Sequence, residues 1–85
     1  MNESEKNFFE DVLKRALRCF SERGELDLSI ELILMKCIRD YYLTTPGAHK
    51  LIFRGVVVEF YVKIYRYESF KSVGITINNI YIGEK

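Results

Sequence analysis

The stretch Val56 to Tyr67, VVVEFYVKIYRY, decides the fold. Its even positions, Val56, Val58, Phe60, Val62 and Ile64, are all apolar. Its odd positions, Val57, Glu59, Tyr61, Lys63, Tyr65 and Tyr67, are mixed, amphipathic or charged. Alternate side chains of a strand leave on opposite faces, so this period of two predicts a long β-strand with one buried face and one that can meet water. β-Branched and aromatic residues dominate the stretch, as a pleated, half-buried surface requires.

Immediately before it, Arg54-Gly55 reads as a two-residue turn that folds Lys50–Phe53 back against the long strand. That register pairs Phe53 with Val56 and Leu51 with Val58 on the buried side, and sets Lys50 opposite Glu59 on the other. Beyond it, Glu68–Lys71 is read as a connection, pairing Ile64 with Ile75 and Val62 with Ile77 while Tyr65 covers Gly74. A second turn is predicted at Asn78-Asn79, between Val73–Ile77 and Ile80–Ile82. The reason is phase. An uninterrupted regular strand would turn Ile80 and Ile82 away from Val73, Ile75 and Ile77, whereas a hairpin keeps all five on one face.

Upstream of His49 the apolar period is helical. Phe8, Phe9, Val12, Leu13, Ala16, Leu17, Cys19 and Phe20 fill one half of a wheel over Ser4–Arg23, with Glu10, Asp11, Lys14, Arg15, Arg18, Ser21 and Glu22 opposite. Glu3 and Glu5 suit the positive end of this helix, and Gly24 ends it. Glu10–Lys14, Asp11–Arg15 and Arg18–Glu22 have the spacing of surface ion pairs, worth a few tenths of a kcal/mol each. A second helix is predicted over Leu28–Leu43, capped by Asp27 or Ser29 and stopped by Thr44-Thr45-Pro46-Gly47. It is apolar on two sides. Ile30, Ile33, Leu34, Cys37, Ile38 and Tyr41 form one face; Leu32, Met35, Tyr42 and Leu43 cluster around Arg39 on the other. A helix apolar on two sides must be covered on two sides, by the first helix or by a second copy of the chain.

The expected fold is therefore α+β and two-layered, α-α-β-β-β-β, with two helices on one face of an antiparallel meander. The chain of 85 residues reads as one domain, with residues 1–48 its helical half and 49–85 its sheet half. Both sheet edges read as protected: the last strand is short and followed by Glu84-Lys85, and the outer one carries Lys50 and Arg54.

Composition narrows the function. Thirteen Lys and Arg against twelve Asp and Glu leave a net charge of +1, which argues against a general polyanion binder. No apolar run approaches the ~18 residues of a membrane span, and the acidic start MNESEKNFFED is unlike a signal peptide, so a cytoplasmic, membrane-free protein is expected. Cys19 and Cys37 lack metal-ligand spacing with each other and with the lone His49, and read as buried free thiols. No cofactor, metal or catalytic residue is expected: no nucleophile, phosphate or zinc-protease motif occurs, and the carboxylates have structural roles.

Binding is the expectation that remains. The uncovered sheet face would show Ile52, Val57, Tyr61, Lys63, Tyr65, Tyr67, Thr76 and Tyr81. Tyrosine gives large contact area at low entropic cost, and aromatics beside Lys63, Arg66 and Lys71 can also stack on unpaired bases. Such ladders also stabilise small open sheets in their own right. The leading expectation is a small non-enzymatic regulator, adaptor or inhibitor of viral or mobile-element type. It binds another macromolecule as a homodimer that buries either the helix-2 residues Leu32, Met35, Arg39, Tyr42 and Leu43 or the sheet residues Tyr61, Lys63, Tyr65, Tyr67 and Tyr81, and contact through one of these faces is expected ahead of contact through a sheet edge. Single-stranded nucleic acid on the tyrosine face ranks second. A ligand pocket at a subunit boundary, using His49 and Arg39, ranks third.

Overall fold

The computed structural model describes residues 1–42 and 45–83. Among these residues two helices, α1 (Glu3–Arg23) and α2 (Leu28–Tyr41), precede three strands, β1 (Gly47–Phe53), β2 (Val56–Arg66) and β3 (Lys71–Ile82). The strands form one open antiparallel sheet in the order β1-β2-β3, and the helices cover one face of it. The fold is thus two-layer α+β.

Helix α1 begins with a reciprocal capping box. The Asn2 side chain accepts from the Glu5 N–H at 2.8 Å while the Glu5 carboxylate accepts from the Asn2 N–H at 3.0 Å. Gly24, at φ 72°, closes the other end by donating to the Phe20 carbonyl. Helix α2 starts after Asp27, whose carboxylate pairs with Arg23 rather than capping its own helix. It ends at Tyr41, two residues before the expected Leu43, which lies outside the described residues.

The first hairpin has the predicted register: Phe53 opposite Val56, Leu51 opposite Val58, Lys50 opposite Glu59. Arg54 and Gly55 both have positive φ, 47° and 86°, the geometry that matches the right-handed twist of the flanking strands. Arg54 tolerates this conformation while its guanidinium reaches across to α1, donating to Asn7, Glu10 and Glu3 at 3.0–3.2 Å.

The C-terminal third departs from expectation in two ways. There is no turn at Asn78-Asn79: β3 runs through them without interruption, so among the described residues the sheet has three strands and not four. The phase problem is solved by a β-bulge. Glu59 faces Asn79, but the next residue, Phe60, faces Ile77, so Asn78 is an extra residue with no partner on β2. One extra residue shifts the alternation by one, which returns Ile80 to the face of Val73, Ile75 and Ile77 as a hairpin would have done. The register is also two residues from that expected, with Val62 opposite Ile75 and Ile64 opposite Val73. The β2–β3 connection is the short segment after Arg66, closed by Tyr67 N–H donating to the Phe70 carbonyl at 2.8 Å.

Both layers meet in one core. Phe9, Val12, Leu13 and Ala16 of α1 and Leu34, Cys37 and Ile38 of α2 pack on Leu51, the even positions Val56 to Val62, Ile75 and Ile80. Phe9 is its centre, with the Phe53, Tyr42 and Tyr41 rings 5.0, 5.9 and 6.0 Å away. No helix among the described residues is long and apolar enough to cross a membrane.

Candidate interaction surface

Three surfaces carry the residues singled out by sequence. The first is the helical layer. Of the helix-2 cluster, Leu32 is well exposed and Arg39 is at the surface, but Met35 and Tyr42 are half-buried against the core. Burial pushes the Tyr42 phenol above its ordinary value. The expected face is therefore divided, and Leu43 lies outside the described residues. The reason is that Phe9 occupies the gap between the helices and draws Tyr41 and Tyr42 onto its ring.

In exchange, residues assigned to buried faces by periodicity stand in solvent. Phe8 is 52% exposed and Ile33 44%, on either side of a groove between α1 and α2 whose floor is Val12 and Ile30 and whose rim carries Asp11 and Arg15. Leu28 and Leu32, one turn apart on α2, are 68% and 54% exposed. A wheel shows which residues share a stripe; it does not show how wide a stripe the neighbouring element covers. Phe8 and Ile33 sit at the margins of their stripes, and the contact between the helices stops short of them.

The second surface is the uncovered face of the sheet. Cross-strand rows place Ile52, Val57 and Tyr81 together, then Tyr61 beside Thr76, Lys63 beside Gly74, and Tyr65 beside Ser72. Several of these groups are already engaged. The Tyr81 hydroxyl donates to Glu59 at 3.1 Å, and Lys50 reaches the same carboxylate at 3.8 Å. The Tyr65 ring lies so close over Gly74 that a Cβ there would stand 3.0 Å from it, as expected from the sequence, and Lys63 sits 5.2 Å over the same ring. Tyr67 is not on the face at all: it lies in the β2–β3 connection, stacked on Phe70 at 4.6 Å. Val57 is buried, with Gly83 packed against it. Tyr61, Tyr65 and Ile52 remain exposed.

The third set comprises titratable groups. His49 stacks on Phe60 at 5.2 Å, and its Nε2 donates to the Thr45 carbonyl at 2.6 Å, a structural arrangement for the ring. Cys37 lies in the core, where burial raises its thiol above the ordinary value. Cys19 accepts from Arg23 at 3.0 Å and donates to the Glu25 carbonyl at 3.3 Å, tying the interhelical loop to the end of α1. Sequence reading missed this Cys19–Arg23–Asp27 contact, although Arg23 and Asp27 have the spacing of an ion pair across a helix end. The cleft beside it is walled by Arg15, Arg18, Glu22 and Arg23. Among the described residues, no three metal-ligating side chains converge and no charged or polar side chain is buried.

Compared with protein-family models, with curated proteins and with solved structures, the chain finds no match in any of the three.

Proposed function

We propose that this protein is non-enzymatic and acts by binding another protein, as a homodimeric regulator, adaptor or inhibitor. One observation carries the reading. The helical layer exposes large apolar side chains, Phe8, Leu28, Leu32 and Ile33, well beyond what its own core requires. Scattered exposed apolar residues are ordinary on a monomer, but Phe8 and Ile33 border one groove, and Leu28 and Leu32 share a flank of α2. Exposed aromatic and aliphatic anchors beside a short groove with a charged rim suit a protein partner.

Capture from the source cell with wild-type chain and with the double variant Leu32→Asp/Ile33→Asp tests this. Both substitutions replace exposed side chains, so the fold is expected to persist. A protein retained by the wild type and lost with the variant is the expected result; equal retention by both overturns the assignment of the surface. Native mass by sedimentation equilibrium tests the dimer separately, and a monomer at high micromolar concentration overturns it.

A second reading, single-stranded nucleic acid on the sheet, has one observation in its favour: Tyr61 and Tyr65 are exposed on either side of Lys63 on one strand face. The prior engagement of Tyr81 with Glu59 and of Lys63 with Tyr65 ranks it below the first. Fluorescence anisotropy with labelled oligonucleotides at low salt should detect salt-sensitive binding weakened by Tyr61→Ala if this reading is correct, and no binding if it is not.

A further inference from the structure

The structure points to the outer edge of β3 as the place where two copies of this chain join, antiparallel about a twofold axis at Ile75, so that two three-stranded sheets become one. The inference rests on the reading that the chain self-associates, and it says where.

β3 is an edge strand of twelve residues. From Ser72 to Ile82 it contains no charged residue and no proline, two of the devices by which natural edges refuse a second strand; a third, the bulge, lies only at Asn78. The opposite edge differs: β1 follows Pro46, carries His49 and Lys50, and is followed by Arg54.

The direction of the backbone groups follows from the ladder. Gly83 N–H donates to the Gly55 carbonyl, which makes Val56 and Ile82 a non-hydrogen-bonded pair. Alternation then turns Tyr81, Asn79, Thr76, Gly74 and Ser72 toward β2, and turns the N–H and C=O of Val73, Ile75, Ile77, Ile80 and Ile82 outward. The Ile80 N–H is satisfied locally by the Asn79 side chain at 2.9 Å, so the bulge closes its own end of the edge. Val73, Ile75 and Ile77 lie in the uninterrupted segment before it.

That segment is complementary to itself. About Ile75, Val73 meets Ile77 of the second copy and Ile75 meets its mate, with all these side chains on the helix-covered face. On the other face Gly74 meets Thr76, and Ser72 meets Asn78. No like charges oppose one another, and every inward pair is aliphatic. Val73 and Ile77 pack against the core yet are only half-buried, so each keeps apolar surface at the edge for the second copy to cover. The helical strip bearing Phe8 and Leu32 is not consumed by this contact and stays available to a different partner.

Residue-resolved amide exchange at low and high micromolar concentration tests the proposal. The Val73, Ile75 and Ile77 amides should slow by at least about tenfold at the higher concentration, while Gly74 and Thr76, bonded to β2 in either state, should not change. Thr76→Lys, an exposed substitution that places a charge on the edge, should abolish the concentration dependence and weaken dimerisation by at least about tenfold. A dimer by sedimentation whose Val73, Ile75 and Ile77 amides exchange at one rate throughout overturns the edge and leaves self-association standing. A monomer at all concentrations overturns both. Protection of the edge at every concentration, with a foreign chain copurifying, assigns it to a partner's strand and overturns the second copy as its occupant.

Discussion

Cys37 shows how one buried thiol sets the behaviour of the fold in alkali. Burial, with a smaller contribution from Asp40, raises its pKa above the ordinary 9.0. The unfolded chain therefore releases this proton first, and stability falls as pH rises above about 9 toward the folded value. Tyr42, also raised by burial, adds to the same slope at higher pH. Thermal melts from pH 7 to 10.5 should show a falling midpoint, with a shallower fall in Cys37→Ala. Gly55 carries a different constraint. At φ 86° an alanine is strained, and Gly55→Ala should cost about 1 kcal/mol in urea unfolding without altering the sheet. Arg54 combines a positive φ with bonds to Glu3, Asn7 and Glu10. Arg54→Asn keeps a residue that accepts the left-handed conformation and removes the bonds. Its stability loss should be small, because such partly exposed pairs are worth under about 1 kcal/mol, and should vanish at high salt.

At the scale of elements, α1 is held to the sheet through Phe9, which is fully buried among Phe53, Tyr41 and Tyr42. Phe9→Ala should cost about 3–5 kcal/mol, a large share of the stability of a domain this small, and chemical denaturation measures it directly. The bulge in β3 gives a sharper test. Deleting Asn78 should leave Ile77 beside Asn79, and Phe60 and Glu59 then face them in a regular ladder with every inward residue still inward. The deletion variant is expected to fold with a melting midpoint within a few degrees of wild type. A hairpin at this place would lose half its turn, and the same deletion would unfold it.

At the scale of the whole molecule, two helices over three strands leave the described residues with several unfinished surfaces: apolar side chains on the helices, a tyrosine-bearing sheet face and an edge without charge from Ser72 to Ile82. The three make separable predictions. Thr76→Lys should act on self-association, Leu32→Asp/Ile33→Asp on partner binding, and Tyr61→Ala on neither unless nucleic acid is the ligand. Sedimentation and capture of the same three variants assign each surface its role.

Periodicity alone determined the two helices, the first hairpin with its register, the buried face of β2 and the layer arrangement, because these depend on contacts between residues close in the chain or on an alternation that a single strand displays. Gly24 and Arg54-Gly55 were legible for the same reason: each marks a local backbone conformation. Tertiary structure alone decided how the phase of β3 is corrected. A bulge and a hairpin shift the alternation equally, and what separates them is whether β2 is long enough to pair with both halves of β3, a contact between residues distant in sequence. The same misreading hid the uncharged edge, since a fourth strand would have covered it. It likewise took packing to show that Tyr42 turns inward onto Phe9 while Phe8 and Ile33 face water, because the width of the stripe a helix buries is set by the neighbour that covers it.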